Sequence, residues 1–256
     1  MNMLNKIFSA SWRIWRWHPE VAIRYLPIVK EIKNIACQPT GKEQNYKARL
    51  KILEVGSGWL GISPYLGEEI IGLDEDFEEK KYNLLKQVKG NILNIPFENN
   101  SFDVVICVDV LEHLSFEKRA KAVEELFRVA KKFVFLGVPC GRESQKLDSE
   151  LDKQYQKIFG QSFPFLKQHL EFGLPQESEL VQAINKISIK LGRRVELAIK
   201  GNENLSLRRI LLRGWLTKSL LVNILFRKAM LPLIPFFLLL DRPPYYRKLF
   251  FVKIKS

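Results

Sequence analysis

Cysteine, histidine and long apolar runs are all scarce in this sequence, and each scarcity narrows what the chain can be. Its three cysteines, Cys37, Cys107 and Cys140, cannot all pair and show no metal spacing, which excludes a disulfide scaffold and a cysteine–zinc module. A reducing cytoplasm is the simplest expectation, and no metal site is expected. Only three histidines, His18, His113 and His169, are present for acid–base work. The longest uninterrupted apolar run, residues 229–240, has 12 residues and contains Pro232 and Pro235. A bilayer-crossing helix needs about 20, so no span is expected. The N-terminal stretch MNMLNKIFSASWRIWRW has neither a long apolar core nor a small-residue cleavage site, so no signal peptide is expected.

What is present describes an ordinary globular chain. At 256 residues, 46% hydrophobic and 27% charged, it can bury a full core as one α/β domain with additions. The net charge of +13 is uneven: residues 1–50 carry +6, residues 201–256 carry +9, and the middle carries −2. A basic partner-binding surface therefore belongs to the ends.

The middle is organised around residues 51–61, KILEVGSGWLG. This reads as a buried strand, a turn needing Gly56, Gly58 and Gly61, and a helix start over Trp59 to Leu66 whose free N–H groups face the turn. Such a loop cradles a nucleotide-like ligand and by itself is equally compatible with NAD or FAD. A second strand, residues 69–74, ends in Asp74, 18 residues beyond Gly56, where a carboxylate can accept bonds from ribose hydroxyls. Its alternative role is a helix cap. Residues 75–89 leave room for only a reduced crossover helix, and residues 86–90 form a third strand. Phe102–Val108 is a buried central strand, with Cys107 as a small core residue. An amphipathic helix over residues 115–132 carries Ala120, Val123, Leu126 and Val129 on one side. Residues 133–138 make a fifth strand, residues 146–159 and 176–191 two helices, residues 194–199 a sixth strand, and residues 245–255 a seventh. Alternating strands and helices predict a parallel sheet covered on both faces.

The ends are different in kind. Residues 3–18 and 20–35 read as two helices, the second kinked or broken at Pro27. They supply either a helical brace on the core or a basic-aromatic surface (Trp12, Trp15 and Trp17 with Arg13, Arg16 and Arg24) for membrane or substrate. Residues 38–49 form the link. Residues 202–243 mix apolar groups with Arg208, Arg209, Arg213, Lys218, Arg227 and Lys228, as helices lying in a membrane interface do. A buried apolar cap or a dimer contact would use the same pattern.

Taken together, Glu54 with the Gly56–Gly61 loop, the strand-end Asp74, Asn91-Ile92, the Ile-Pro-Phe turn at 95–97, residues 101–105 (SFDVV) and residues 109–114 (DVLEHL) resemble the class I S-adenosylmethionine-dependent methyltransferases with a methyltransferase-11-type domain. The resemblance covers about residues 50–140 closely. It implies a Rossmann-like α/β sheet of seven strands, the last antiparallel between the fifth and sixth. The implied division is an N-terminal helical extension (1–49), a methyltransferase domain (50–201 and 244–256) and a basic hydrophobic insertion (202–243). S-adenosylmethionine is the implied cofactor. Gly56, Ser57, Gly58 and Gly61 would shape the loop under it, Glu54 would sit near its methionine amino group, and Asp74 would bind its ribose. Asn91 and Ile92 would contact adenine, and Asp109 would border the methionine end and the substrate mouth.

Methyl transfer depends on aligning acceptor and methyl group, and a hydroxyl acceptor must also lose its proton. His113, just past the fourth strand, is the candidate base, with Asp109 beside it; His169 and Glu171 form a second polar group able to fold over the site. Structural histidines and loop caps are the alternatives. The turn used by base-amine methyltransferases is missing after the fourth strand, and Cys140 lacks the company of a nucleophilic cysteine. The expected function is cytoplasmic O-methylation, at the inner membrane face, of a lipid-linked saccharide or other surface-glycan precursor. A quinone-like or lipid acceptor comes next, and RNA, gripped by the basic ends, after that. A non-enzymatic interaction protein is disfavoured by the intact glycine loop.

Overall fold

The computed structural model describes residues 18–37, 50–214 and 216–255. Ile52–Val55 (β1) is buried at every position, as a strand covered on both faces must be. Ile70–Asp74 (β2) and Phe102–Val108 (β4) flank it in parallel. With Leu85–Lys89 (β3), Ala130–Pro139 (β5), Arg194–Asn204 (β6) and Tyr245–Lys255 (β7), they form one sheet in the order β3-β2-β1-β4-β5-β7-β6. β7 runs antiparallel to both β5 and β6, as the resemblance implies. The strand order reverses between β1 and β4, which opens a crevice at their carboxyl ends.

Alternate residues of each strand enter two cores. Leu53, Val55 and Val105 pack with Leu126 and Phe127 of Phe116–Val129 (α3) and with Ile184 of Glu177–Lys190 (α6). Ile52, Val104 and Ile106 pack with Ile28 of Pro19–Ala36 (α1) and Tyr65 of Ser63–Leu66 (α2). The first helix expected, over residues 3–18, lies outside the described residues except for His18. So do its tryptophans, the link at 38–49 and Trp215.

Several expectations are corrected. The helix after the glycine loop shrinks to α2, because Gly56, Gly58 and Gly61 all have positive φ, which a right-handed helix does not accommodate. No helix follows β2; Phe77 and Tyr82 pin the charged crossover to the core instead. On α3 the inward positions include Ala122, while Ala120 is exposed, and β5 starts at Ala130 directly after the helix. Arg142–Phe159 (α4) begins four residues earlier than expected, and Pro164–Phe172 (α5) is a helix the sequence reading lacked. Pro164 in its first turn is the signal that could have marked it.

Pro27 does not break α1, which continues from Pro19 to Ala36. A proline removes the N–H that would bond the carbonyl four residues back, here that of Ile23. That carbonyl instead accepts a 3.0 Å bond from the Asn202 amide at the end of β6. The brace role expected for this helix is therefore built into its backbone.

Residues 205–214 and 216–239 fold as Leu205–Leu211 (α7), a 3-10 turn, Leu220–Ile224 (α8), a π turn, a second 3-10 turn and Ile234–Leu239 (α9). Read as one helical stretch, Leu220–Leu239 has 20 residues and mean hydropathy 1.6. This is long and apolar enough to cross a membrane by length and composition, which revises the count based on an uninterrupted run. Ile234 and Phe237 turn inward, Phe237 against Ile23, Leu207 and Leu211, while Leu220, Leu221, Phe236 and Leu239 stand exposed.

Replacing Asn202 by Leu should orphan the Ile23 carbonyl and lower stability by about 1–3 kcal/mol. In a Pro27→Ala background, where a backbone donor returns, the same change should cost less. Urea unfolding of the four proteins reads the difference, and equal costs in both backgrounds would refute this account of α1.

Candidate active site

The crevice between β1 and β4 holds a cleft of about 670 Å³. Its floor is the Gly56–Gly61 loop, which no other residue type could form. A Cβ at Gly61 would lie 2.0 Å from Glu54 Oε2, and one at Gly56 would lie 2.1 Å from Val110 Cγ2. Glu54 is buried in β1 beneath the loop; its Oε2 accepts the Ile62 N–H at 2.7 Å. Its Oε1 has no hydrogen-bond partner among the described residues. Burial pushes the Glu54 carboxyl up to about 7. Asp74 Oδ2 accepts the Gly58 N–H at 2.8 Å and Oδ1 that of Asp76 at 3.3 Å. Each oxygen keeps a lone pair toward the cleft, and since no helix follows, Asp74 is not a helix cap. Ser57 and Ile92 also line the cleft, but Asn91 does not. The Asn91 side chain is exposed and closes its own turn, donating to Glu75 Oε1 at 2.5 Å and accepting from the Leu93 N–H at 2.7 Å. Gly90 takes its place at the cleft wall. Val21, Arg24 and Tyr25 of α1 roof the cleft; the sequence reading placed Arg24 only on a surface for membrane or substrate.

Asp109 stands at the end of β4 with φ +54, a conformation a non-glycine residue holds only when its surroundings impose it. Arg247 of β7 imposes it: Nε and Nη2 donate to Asp109 Oδ1 and Oδ2 at 2.6 and 2.7 Å. Arg24 adds an ion pair at 3.1 Å. Against the upward push of burial, Arg24 and Arg247 hold the Asp109 carboxyl far below the usual range. Two arginines thus hold Asp109 in place, which gives it a positioning part beside the expected catalytic one. Arg247 Nη1 also donates to Glu203 Oε2 at 3.0 Å, as does Arg208, which bonds Glu20 Oε1 at 3.3 Å. Three arginines and three carboxylates thus neutralise one another in the interior.

Beyond Asp109 lies a second, apolar chamber of about 290 Å³, walled by Leu151, Tyr155, Phe163, Leu166, Leu212 and Tyr246. It shares Val21, Arg24, Asp109, His113 and Phe165 with the cleft, so the two meet at His113. His113 Nδ1 bonds the Gln168 Oε1 at 2.8 Å. Burial and then His169 push the His113 imidazole down to about 4. His169 is on α5, not in a loop, and its Nδ1 bonds Asp148 Oδ2 at 2.8 Å. Tyr246 donates its hydroxyl to Asp148 at 2.9 Å; the sequence reading did not single out Asp148. The two imidazole centroids are 4.8 Å apart. Glu112, fully buried, completes the group; burial and then Asp109 push its carboxyl well above the ordinary range. Glu171 is exposed and lines neither cavity. The Cys140 thiol donates to the Pro175 carbonyl at 3.1 Å, and burial pushes it up to about 12, which suits no nucleophile.

Replacing Arg247 by Met would leave Asp109 and Glu203 as buried charges short of a partner. The expected loss is about 3–5 kcal/mol, read by urea unfolding; a loss under about 1 kcal/mol would mean that the ion network does not hold the site.

Comparison with known proteins places this geometry. Residues 53–136 match the profile of a methyltransferase domain. An uncharacterized protein of Methanocaldococcus jannaschii is 43% identical over 56 residues, a match spanning 19% of this chain and 24% of that relative. Among solved structures, magnesium protoporphyrin IX methyltransferase of Synechocystis PCC 6803, determined with bound SAH, superposes with TM-score 0.50 at 12% identity, covering 98% of this chain and 95% of that one. The methyltransferase domain of a bacterial Hen1 superposes with TM-score 0.50 at 14% identity, covering 91% and 97%. At these identities the likeness is one of fold. Residues 53–136 are accordingly a methyltransferase domain of the methyltransferase-11 type, set in the fold of the class I S-adenosylmethionine-dependent methyltransferases.

Proposed function

We propose that this protein transfers a methyl group from S-adenosylmethionine to a hydroxyl oxygen of an apolar, membrane-derived acceptor. The observation that carries the reading is the junction of the polar cleft with the apolar chamber at His113. The residues fit the cofactor. Gly56, Gly58 and Gly61 leave the loop backbone bare, the Asp74 lone pairs suit ribose hydroxyls, and Glu54, beneath the loop and not in the cleft wall, places its carboxyl under the expected methionine end. Ser57 and Ile92 complete the wall, with Gly90 in place of Asn91.

When bound, the cofactor supplies an electrophilic methyl on a sulfonium sulfur. The chain's work is to aim an acceptor at it from the chamber and to exclude water. The junction residues would hold the acceptor oxygen in line with that methyl, the sulfur would keep the electron pair of the broken carbon–sulfur bond, and the hydroxyl proton would leave at the His113–His169 group. The products are a methyl ether and a neutral thioether.

The chamber wall modifies the expected acceptor. A saccharide needs many hydrogen bonds, but Glu20, Arg24 and Arg208, among the polar groups lining the chamber, are committed to one another. Leucine and aromatic walls suit a hydroxylated ring or a lipid chain, so the quinone-like or lipid acceptor replaces the glycan precursor as the favoured class. The exposed Leu220, Leu221, Phe236 and Leu239, with Arg227 and Lys228 nearby in sequence, support collection of that acceptor from an anionic membrane surface. On this reading the protein works at the inner membrane face, and the mixture of basic with apolar side chains disfavours RNA.

Calorimetric titration with S-adenosylmethionine, with NAD as control, should give micromolar-range binding that Asp74→Ala abolishes. Absence of binding to well-folded wild type would sink the enzyme reading. Because the free Glu54 carboxyl is neutral below about 7, affinity should rise as pH passes upward through that value. The same shift has an opposite sign for stability. A carboxyl raised in the folded state contributes most below its unfolded value of about 4.3, and the contribution is lost as pH climbs through about 7. Vesicles containing phosphatidylglycerol should co-sediment the protein, and Leu221→Asp with Leu239→Asp should release it; retention by the double variant would refute docking through this face.

A further inference from the structure

We propose that Glu112, His113 and His169 hold a divalent transition-metal ion between the cofactor cleft and the apolar chamber. Three observations converge on the site. One nitrogen or oxygen atom from each of the three side chains lies within 4.8 Å of the others. Both carboxylate oxygens of Glu112 and the Nε2 of His169 are buried without a hydrogen-bond partner among the described residues. Orphaned polar atoms of this kind are costly, and here they belong to one cluster, with His169 Nε2 4.0 Å from Glu112 Oε1. That gap is too long for a hydrogen bond and wide enough for an ion between them.

The surroundings orient the imidazoles as ligands. His169 donates its Nδ1–H to Asp148, which leaves the lone pair on Nε2. Tyr246 in turn donates to the same carboxylate. Gln168 Oε1 does for His113 Nδ1 what Asp148 does for His169. A carboxylate or carbonyl behind each imidazole is the arrangement that fixes tautomer and raises basicity in metal-binding histidines. Asp109 is not a ligand, because Arg247 and Arg24 occupy it. Two nitrogens and one carboxylate suit manganese, cobalt, zinc or ferrous iron better than magnesium or calcium. Ligands at about 2.1 Å from one ion stand about 3–3.4 Å apart, so small side-chain rotations would close the site. Three protein ligands leave positions open toward the chamber.

The site itself stands on these contacts alone; its use rests on the methyl-transfer reading. There, an ion would draw the acceptor hydroxyl to the junction and lower its pKa. The hydroxyl proton then passes to water, not to imidazole, and the oxygen attacks the methyl as before.

The test uses the full chain, stripped with chelator and titrated with CoCl₂ and MnCl₂. One equivalent of Co²⁺ should bind with visible d–d absorption. Glu112→Gln and His169→Asn should each weaken binding at least about tenfold, and Asp148→Asn, a positioning change, about 10–100-fold. Cys37→Ser, on an exposed cysteine, should bind normally. Wild type supplies a readout that needs no variant. With only three histidines, Mn²⁺ should broaden the imidazole NMR signals of His113 and His169 more strongly than those of His18. S-adenosylmethionine titration of the same samples separates the two readings. A chain that binds the cofactor but no ion, or that loses no affinity in the variants, overturns the metal site and leaves methyl transfer intact. Ion binding without cofactor binding upholds the site and sinks the methyltransferase reading.

Discussion

The buried fork between Arg247 and Asp109 is the contact on which the arrangement of both cavities depends. Arg247 comes from the last strand, Asp109 from the end of β4, and Glu203 from the end of β6, so one guanidinium ties three strand ends together. Through Glu20 and Arg208 the same network reaches α1 and α7. Those are the elements that roof the cleft and wall the chamber. Glu203, like Asp109, has positive φ, at +62, so two strained carboxylates are held on one arginine. Buried ion pairs are weak evidence for stability, since desolvation offsets their attraction. Here their geometry does something a hydrophobic cluster could not. It fixes the end of β4 in a conformation that sends residues 110–113 toward the cavities.

How much of this was legible depends on whether the cause was local. The glycine loop, Asp74 and the seven strands follow from short patterns: an apolar run, a turn residue, a strand-end acid. Each could be read because β1, β2 and β4 are buried on both faces and carry no competing pattern. The missed helix α5 has only Pro164 to announce it, and its residues become helical by packing Leu166 against Leu147 and Leu151. The survival of α1 through Pro27 was illegible for a similar reason. Its rescuer, Asn202, lies 179 positions away in the chain. Asp109 stood out as a catalytic candidate because its motif is local, whereas the arginine that holds it in place is 138 positions distant.

The histidines divide on the same principle. His113 follows directly from its place after β4. His169 could be flagged only as a polar residue near the site, because its partners Asp148 and Tyr246 come from α4 and β7. The Glu112 side chain was read as part of a motif and not as a donor. Its significance appears only when both oxygens are found buried and unpaired. A sequence shows which polar groups a chain has; a structure shows which of them are left unsatisfied.

That distinction bears on how cleft and chamber divide the work. In the cleft and beneath its floor, carboxylates are already bonded to backbone: Asp74 to Gly58 and Glu54 to Ile62. These bonds set the shape before any ligand arrives, so little ordering cost remains at binding. The chamber has the opposite character. Its walls are leucine and aromatic surface, which can select an acceptor only by size and apolarity, a weak discrimination of about 1–3 kcal/mol per methylene. On the proposed reading, selection of the reacting atom comes from a polar place in the chamber wall with atoms left unpaired. Arg24, Arg208, Glu20 and Asp109 are consumed by one another. Glu112 and His169 are not, and they sit with His113 where the two cavities join. An apolar acceptor held loosely by its body and firmly by one hydroxyl is what such a division of labour favours.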